Sequence, residues 1–221
     1  MERRYLPLAG RAAVAKGLLL AVVLVDCVAF FSDLAQRTML ADVNGLTVDD
    51  LQLNDTRQAM VDNVWLGVYL VAGIAFVCWF HRAYVNAGRL GATGLRHRTS
   101  VAVFAWFIPI IALFWPKEIA DDTWKASDPE LPEEAGEAWR QGRVPLVFAF
   151  WWLSFIASNV LSLLSGHTGS SVADLRLGTT FALAGDAAGI AAGLLAVAVV
   201  VTTSRRQETR ARRLGALAAA T

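Results

Sequence analysis

Four long apolar stretches constrain this chain more than any other feature. They run over residues 17–32, 64–80, 144–166 and 177–204, and their only charged residues are Asp26 and Asp186. A helix needs about 20 mostly apolar residues to cross the ~30 Å hydrocarbon core of a membrane. Only helices and closed barrels satisfy their own backbone hydrogen bonds in lipid. The pattern therefore predicts an all-α, polytopic membrane helical bundle with spans at about 13–34, 62–80, 144–166 and 178–203.

Composition supports a single membrane domain over residues 1–221. Hydrophobic residues make up 56% of the chain and charged residues only 18%, whereas soluble domains carry roughly 25% charge. The net charge is +1 and the basic residues lie where membrane topology requires them, so nucleic-acid binding is not supported. The sequence has no nucleotide-binding loop, no zinc motif and no CxxC pair, and it indicates no metal site.

A fifth apolar run, Val101–Trp115, is too short to be assigned by length alone, and Pro109 interrupts it. The distribution of basic residues decides its topology. With a cytoplasmic amino terminus and four spans, seventeen Lys and Arg residues lie inside and three outside; if the fifth run also crosses, nine lie inside and eleven outside. The positive-inside rule therefore favours four spans.

This topology predicts a plasma-membrane protein with both termini in the cytoplasm. Residues 101–115 then form a re-entrant or interfacial element against the inner leaflet, followed by an amphipathic helix at 117–127. Residues 128–142 are predicted to be a mobile acidic linker, and residues 204–221 a basic tail.

Two carboxyl groups, Asp26 and Asp186, lie inside predicted spans. An ionised, unpaired carboxylate in hydrocarbon costs several kcal/mol, so each must be protonated, hydrogen-bonded or close to water. Ser154, Ser158 and Asn159 of the third span are candidate partners. Two interpretations stay open: a polar cavity with a proton-linked role, or a structural hydrogen bond between helices.

Three glycines, Gly185, Gly189 and Gly193, recur every four residues in the last span. A stripe without side chains allows a neighbouring helix to approach closely. We expect this stripe to pack either inside the bundle or at the seam of a homo-oligomer.

The predicted cytoplasmic side holds the residues that are best suited to catalysis or ligand binding. Carboxylate and imidazole groups suit acid–base work or divalent metals, which makes four residues weak catalytic candidates: His81, Glu118, Asp121 and Asp122. Cations beside a membrane attract anionic lipid, and aromatic rings favour its interface. The corresponding candidates for lipid or ligand binding are Arg82, Asn86, Arg89, Trp106, Trp115, Trp124 and Lys125.

Several of these residues belong to motifs that resemble a known family. The motifs are Trp79-Phe80-His81-Arg82 with Asn86, Trp106-Phe107-Ile108-Pro109, Phe114-Trp115-Pro116, and Asp122-Thr123-Trp124-Lys125-Ala126-Ser127. Together they resemble the core signature of the bacterial membrane family catalogued as domain of unknown function 4328. The resemblance extends from about Gly17 to Arg206 and implies a helical membrane bundle without an assigned activity. His81 occupies a variable place in that signature, so histidine chemistry is not a family property.

Three functional classes remain open from the sequence. The favoured one is a binding or accessory protein that recognises lipid or a membrane partner at its cytoplasmic side. The second is a membrane-embedded enzyme that acts on an amphiphilic lipid or isoprenoid substrate through interfacial carboxylates. The third is a subunit of an oligomeric channel or transporter. The sequence decides neither whether the protein is an enzyme nor which cofactor it uses.

Overall fold

The computed structural model of the chain describes residues 5–215. This range contains six α-helices and no β-strand: α1 (Ala9–Ala41), α2 (Val48–Arg89), α3 (Val101–Phe104), α4 (Trp115–Ala126), α5 (Leu146–Ser165) and α6 (Val172–Arg213). Short 3-10 helices lie at Ile111–Leu113 and Ala138–Gln141. The predicted all-α helical fold is confirmed.

Four of these helices, α1, α2, α5 and α6, are long and apolar enough to cross a membrane. At 1.5 Å per residue, the 20 residues of α5 extend about 30 Å, the thickness of the hydrocarbon core. The other three are longer, with 33 residues in α1 and 42 in each of α2 and α6. The number and order of the candidate spans agree with the sequence prediction.

The fifth apolar run is not one helix. It is divided into the single turn of α3, an irregular stretch around Pro109 and the 3-10 helix Ile111–Leu113. Proline has no backbone N–H and disfavours a helical conformation in the residue before it. Pro116 instead lies in the first turn of α4, where the missing N–H costs nothing.

The chain divides into two compact units. The first unit comprises, of the described residues, 5–17, 73–149 and 196–215. Its core contains large side chains that are almost wholly buried, among them Trp79, Phe80, Tyr84, Trp139 and Phe148.

Within the first unit, the loop after α2 contacts the segment before α5 through their backbones. Thr93 N–H donates to the Gly136 carbonyl, and Gly136 N–H donates to the Gly91 carbonyl. Gly91 has a φ of +97°, and a Cβ there would overlap the Glu133 carbonyl oxygen. Only glycine fits this close approach.

The second unit comprises residues 18–72 and 150–195. Here the glycine stripe of α6 packs inside the chain: a Cβ at Gly193 would lie 2.5 Å from Val23 Cγ2, and one at Gly185 would lie 3.3 Å from Ser162 Oγ. The stripe thus lets α6 approach both α1 and α5. Of the two packing modes left open by the sequence, the structure contains the one within the chain.

Candidate functional site

The motif residues of the first unit mostly hold the chain together. Trp79 Nε1 donates to Ser204 Oγ at 2.9 Å in a buried hydrogen bond. Asn86 is fully buried, and its amide accepts from Leu6 N–H at 3.1 Å and donates to the Leu6 carbonyl at 2.8 Å. This two-way contact fixes the amino-terminal segment against α2.

The end of the last motif is bound to α6 in the same way. Ser127 Oγ accepts a hydrogen bond from Gln207 Nε2 at 2.9 Å and donates to the Thr123 carbonyl. The Trp124 indole lies under the Arg206 guanidinium, 4.4 Å from ring centroid to Cζ. These contacts favour an architectural role for the motif.

Arg210 is a fully buried charge of the first unit. Its guanidinium makes five hydrogen bonds, and every acceptor is a backbone carbonyl. Nε and Nη2 both donate to Leu90, Nη1 donates to Asp128 and Leu131, and Nη2 also donates to Pro132, at 2.6–3.1 Å. Residues 128–132, predicted to be a mobile linker, are therefore held by a residue that the sequence assigned to a basic tail.

The four catalytic candidates do not form one cluster, although Arg96 pairs with both Glu118, at 3.8 Å, and Asp122. Glu118 Oε2 contacts His97 Nε2 at 2.8 Å, Asp121 pairs with Lys117 at 2.6 Å, and Asp122 pairs with Arg96 at 3.1 Å. His81 has instead Arg11 and Arg82 as its charged neighbours. Within residues 5–215, no group of three or more His, Cys, Asp or Glu side chains is placed to hold a metal ion.

His97 is the residue of this region that sequence reasoning missed. Its backbone N–H donates to Tyr84 Oη at 3.1 Å, and its ring lies 4.7 Å from the Trp115 ring. It follows Arg96 in a loop without a recognisable motif, so only the fold reveals its contacts. Arg96 and His97 together attach this loop to α4.

Asp122 differs from its expected setting, because it is completely buried rather than part of a solvated helix face. Burial raises the pKa of its carboxyl, and the neighbouring Arg96 guanidinium opposes the shift. The paired, desolvated carboxylate fixes Arg96, which is 45% exposed.

A basic cluster lies where α1 meets the end of α2 in the first unit. Arg11 and Arg89 are close enough to Arg82 to repel its charge. Arg11 also donates to the Cys78 carbonyl at 3.0 Å, whereas Arg82 has no hydrogen bond or ion pair among the described residues. We call Arg11, Arg82 and Arg89 the basic cluster.

An apolar surface adjoins the same end of α2. Trp106 packs edge-on against Phe76 and Phe80, with centroids 5.6 Å apart in both pairs. This contact places the irregular segment beside the last turns of α2. The segment exposes a run of large apolar side chains: Phe104, Phe107, Ile108, Ile110, Leu113 and Phe114.

The second unit contains Asp26 and Asp186, the two carboxyls predicted to lie inside spans. Asp26 is buried and accepts a hydrogen bond from Trp65 Nε1 at 2.6 Å. Asp186 lies within hydrogen-bonding reach of Asp33, and its Oδ2 is buried without a partner in the described part of the chain. The candidate partner Asn159 donates instead to the Phe155 carbonyl.

An open cavity of about 470 Å³ lies beside this carboxyl pair in the second unit. Its polar lining includes Asp33, Asp55, Asp62, Gln58 and Thr179. Gln58 donates to Asp33 Oδ1 at 2.7 Å. The sequence predicted Asp26 and Asp186 as charges inside spans, whereas Asp33 and Asp55 were not among its candidate residues.

These helices define an all-α chain with the length and apolar composition of an integral membrane protein. More specifically, the chain belongs to the family described as Domain of unknown function (DUF4328), which matches residues 42–205. No curated protein matches the chain, and no solved structure matches it.

Proposed function

We propose that the protein binds anionic phospholipid through the first unit, at the inner leaflet of the plasma membrane. The basic cluster carries this proposal: Arg82 has two further guanidinium groups as neighbours and no carboxylate partner among the described residues. Each Lys or Arg beside an anionic membrane surface gains roughly 1 kcal/mol. A phospholipid headgroup would supply the negative charge that Arg82 lacks among the described residues.

The exposed apolar side chains of residues 104–114 supply the second half of the site. They lie on a segment too short and irregular to span a membrane, and Trp106 holds that segment beside the end of α2. Exposed apolar surface of this kind favours contact with acyl chains. In this proposal, the lipid headgroup contacts the cations of the basic cluster, and the acyl chains contact the aromatic and aliphatic side chains of the segment.

Binding of phosphatidylglycerol and phosphatidylcholine to the delipidated protein, measured by native mass spectrometry, tests this function. We expect a preference for phosphatidylglycerol that Arg82→Gln weakens about fivefold, the equivalent of roughly 1 kcal/mol. Arg98→Gln is the matched control, since Arg98 is exposed and lies outside the basic cluster. Equal lipid preferences in the wild type and Arg82→Gln would contradict the proposal.

A second candidate function, a proton- or cation-linked role of the second unit, is favoured by the Asp33–Asp186 pair beside its cavity. Two carboxyls in hydrogen-bonding reach repel each other unless they share a proton or a cation. Reconstituted vesicles with a pH-sensitive dye test it: wild-type protein should carry protons or an added cation, and Asp186→Asn should abolish the flux. An unchanged flux in Asp186→Asn would exclude the pair from that role.

The enzyme alternative receives less support from the geometry. Glu118, Asp121 and Asp122 each have a cationic or imidazole partner that occupies them. His81 lies beside the basic cluster. Catalysis on an amphiphilic substrate would require these four side chains to lie close together in one site.

A further inference from the structure

A cavity of about 270 Å³ in the first unit is lined by Arg96, Lys125, Arg140 and the indole of Trp139. The three cations come from separate segments: the loop after α2, the last turn of α4 and the 3-10 helix Ala138–Gln141. The cavity is large enough for several water molecules, each of which takes about 30 Å³ in the liquid. Three cationic side chains line it, which favours a negative group inside.

Both guanidinium groups are held in place by contacts that leave donors available. Arg140 Nη2 donates to the Gly94 carbonyl at 2.7 Å and pairs with Glu137 at 3.2 Å. Arg96 Nη2 pairs with the buried Asp122 at 3.1 Å. A guanidinium has five N–H groups in a planar fork. Each arginine therefore keeps N–H groups that these contacts do not use.

The floor of the cavity is rigid. Trp139 is 1% exposed, and its indole donates to the Thr93 carbonyl at 2.8 Å. The Arg140 guanidinium lies over the same ring, 5.7 Å from its centroid. The donors on the cavity wall are thus preorganised, which reduces the cost of binding.

Lys125 is the lining cation without a direct bond, although it lies close enough to Asp122 for their charges to attract. Its Nζ makes no hydrogen bond or ion pair within residues 5–215, although three donors are available on an ammonium group. Its stem is confined by Gly142, where a Cβ would lie 3.4 Å from Lys125 Cβ and Cγ. A ligand with several acceptor oxygens in the cavity would use the free donors of this ammonium.

We propose that this cavity binds a phosphate group, supplied either by a free phosphate ion or by a phospholipid headgroup. Two arginines and a lysine provide the bidentate forks and the point charge that phosphate oxygens accept most strongly. The site uses none of the basic cluster, so it is independent of the lipid function proposed above. We call it the phosphate cavity.

The test uses the full chain, delipidated in neutral detergent, and two probes. Inorganic phosphate is titrated calorimetrically, and phosphatidylglycerol binding is followed in nanodiscs by phosphorus NMR against phosphatidylcholine. Lys125→Gln is the main variant, because removal of its ammonium breaks no hydrogen bond in the described chain. Arg143→Gln is the matched control, since Arg143 is an exposed arginine near α5 that does not line the cavity.

We expect Lys125→Gln to weaken the bound probe about tenfold or more, the effect of one charge-assisted hydrogen bond. Arg143→Gln should leave that binding unchanged, and Arg82→Gln should leave the binding of inorganic phosphate unchanged. If Lys125→Gln weakens the binding of inorganic phosphate, the source is a soluble anion. If it weakens only the binding of phosphatidylglycerol, the source is a lipid headgroup. Absence of binding by both probes, or equal binding in Lys125→Gln and Arg143→Gln, overturns the proposal.

Discussion

The replacement of Arg210 by leucine tests most directly how the first unit is held together. The change removes five hydrogen bonds: the carbonyls of Leu90, Leu131 and Pro132 lose their donor, and that of Asp128 keeps only Leu131 N–H. A buried polar group without a partner costs about 1–3 kcal/mol. Water can reach the exposed Pro132 but not the buried Leu90, so we expect a loss of about 3–5 kcal/mol.

Thermal unfolding in detergent, followed by tryptophan fluorescence, measures this loss. Five of the eight tryptophans lie in the first unit, and several kcal/mol correspond to a fall in melting temperature of about 10 °C or more. Hydrogen exchange should also quicken over residues 128–135. Arg210→Lys keeps the charge but not the planar fork, and should be intermediate.

Arg212→Leu is the matched control, since Arg212 is exposed on the same helix. If Arg210→Leu and Arg212→Leu have the same melting temperature and the same hydrogen-exchange rates over residues 128–135, the inference that Arg210 holds residues 128–132 is wrong.

Three further predictions concern single positions. Burial raises the pKa of Asp122 above 3.8, so the folded chain binds a proton at this carboxyl more tightly than the unfolded chain does. The stability that Asp122 contributes should therefore fall as pH rises from about 4 through the pKa of the folded state. Asp122→Asn should remove this part of the pH dependence of the melting temperature. Asn86→Asp replaces the donor to the Leu6 carbonyl by a carboxylate, which should cost about 1–3 kcal/mol and expose residues 5–8 to limited proteolysis. Gly193→Ala places a methyl group 2.5 Å from Val23 Cγ2, and the strain should lower the melting temperature by the equivalent of about 1–3 kcal/mol.

Two of these variants have a counterpart elsewhere in the chain. Asn63→Asp alters an exposed asparagine of α2 that donates only to the Ala59 carbonyl. Gly17→Ala adds a methyl group with nothing within 4 Å, and should be neutral or slightly stabilising. A pH profile of Asp122→Asn that parallels the wild type, or a Gly193→Ala protein as stable as Gly17→Ala, would contradict the corresponding argument.

Hydropathy was sufficient to predict the helical fold, because four apolar runs in lipid have almost no alternative to helices. Pro116 likewise marks the start of α4, since its ring fixes a helical φ and its missing N–H is harmless in a first turn. These predictions depend on local chemistry alone. Helix ends were less predictable, because α2 and α6 continue well past their apolar runs.

Tertiary partners of the charged residues were not predictable in this way. Arg210 counts as one more basic residue after the last span, and its acceptors are backbone carbonyls, which no sequence pattern reveals. Asp122 has the spacing of a solvated helix residue, and its burial depends on a loop that reaches it through Arg96. The pairing of Asp33 with Asp186 joins α1 to α6, so it depends on helix packing rather than on sequence spacing.

The composition of the first unit has a consequence for biosynthesis. The unit combines residues near both chain ends with a central stretch, and the buried Tyr5 and Leu8 belong to its first residues. Asn86, the partner of Leu6, is synthesised 80 residues later, and Arg210 is synthesised 120 residues after Leu90, whose carbonyl it binds. During translation the Leu90 carbonyl therefore lacks the Arg210 donor until the last helix emerges from the ribosome. A nascent chain arrested before α6 is complete should therefore be a good substrate for quality-control proteases.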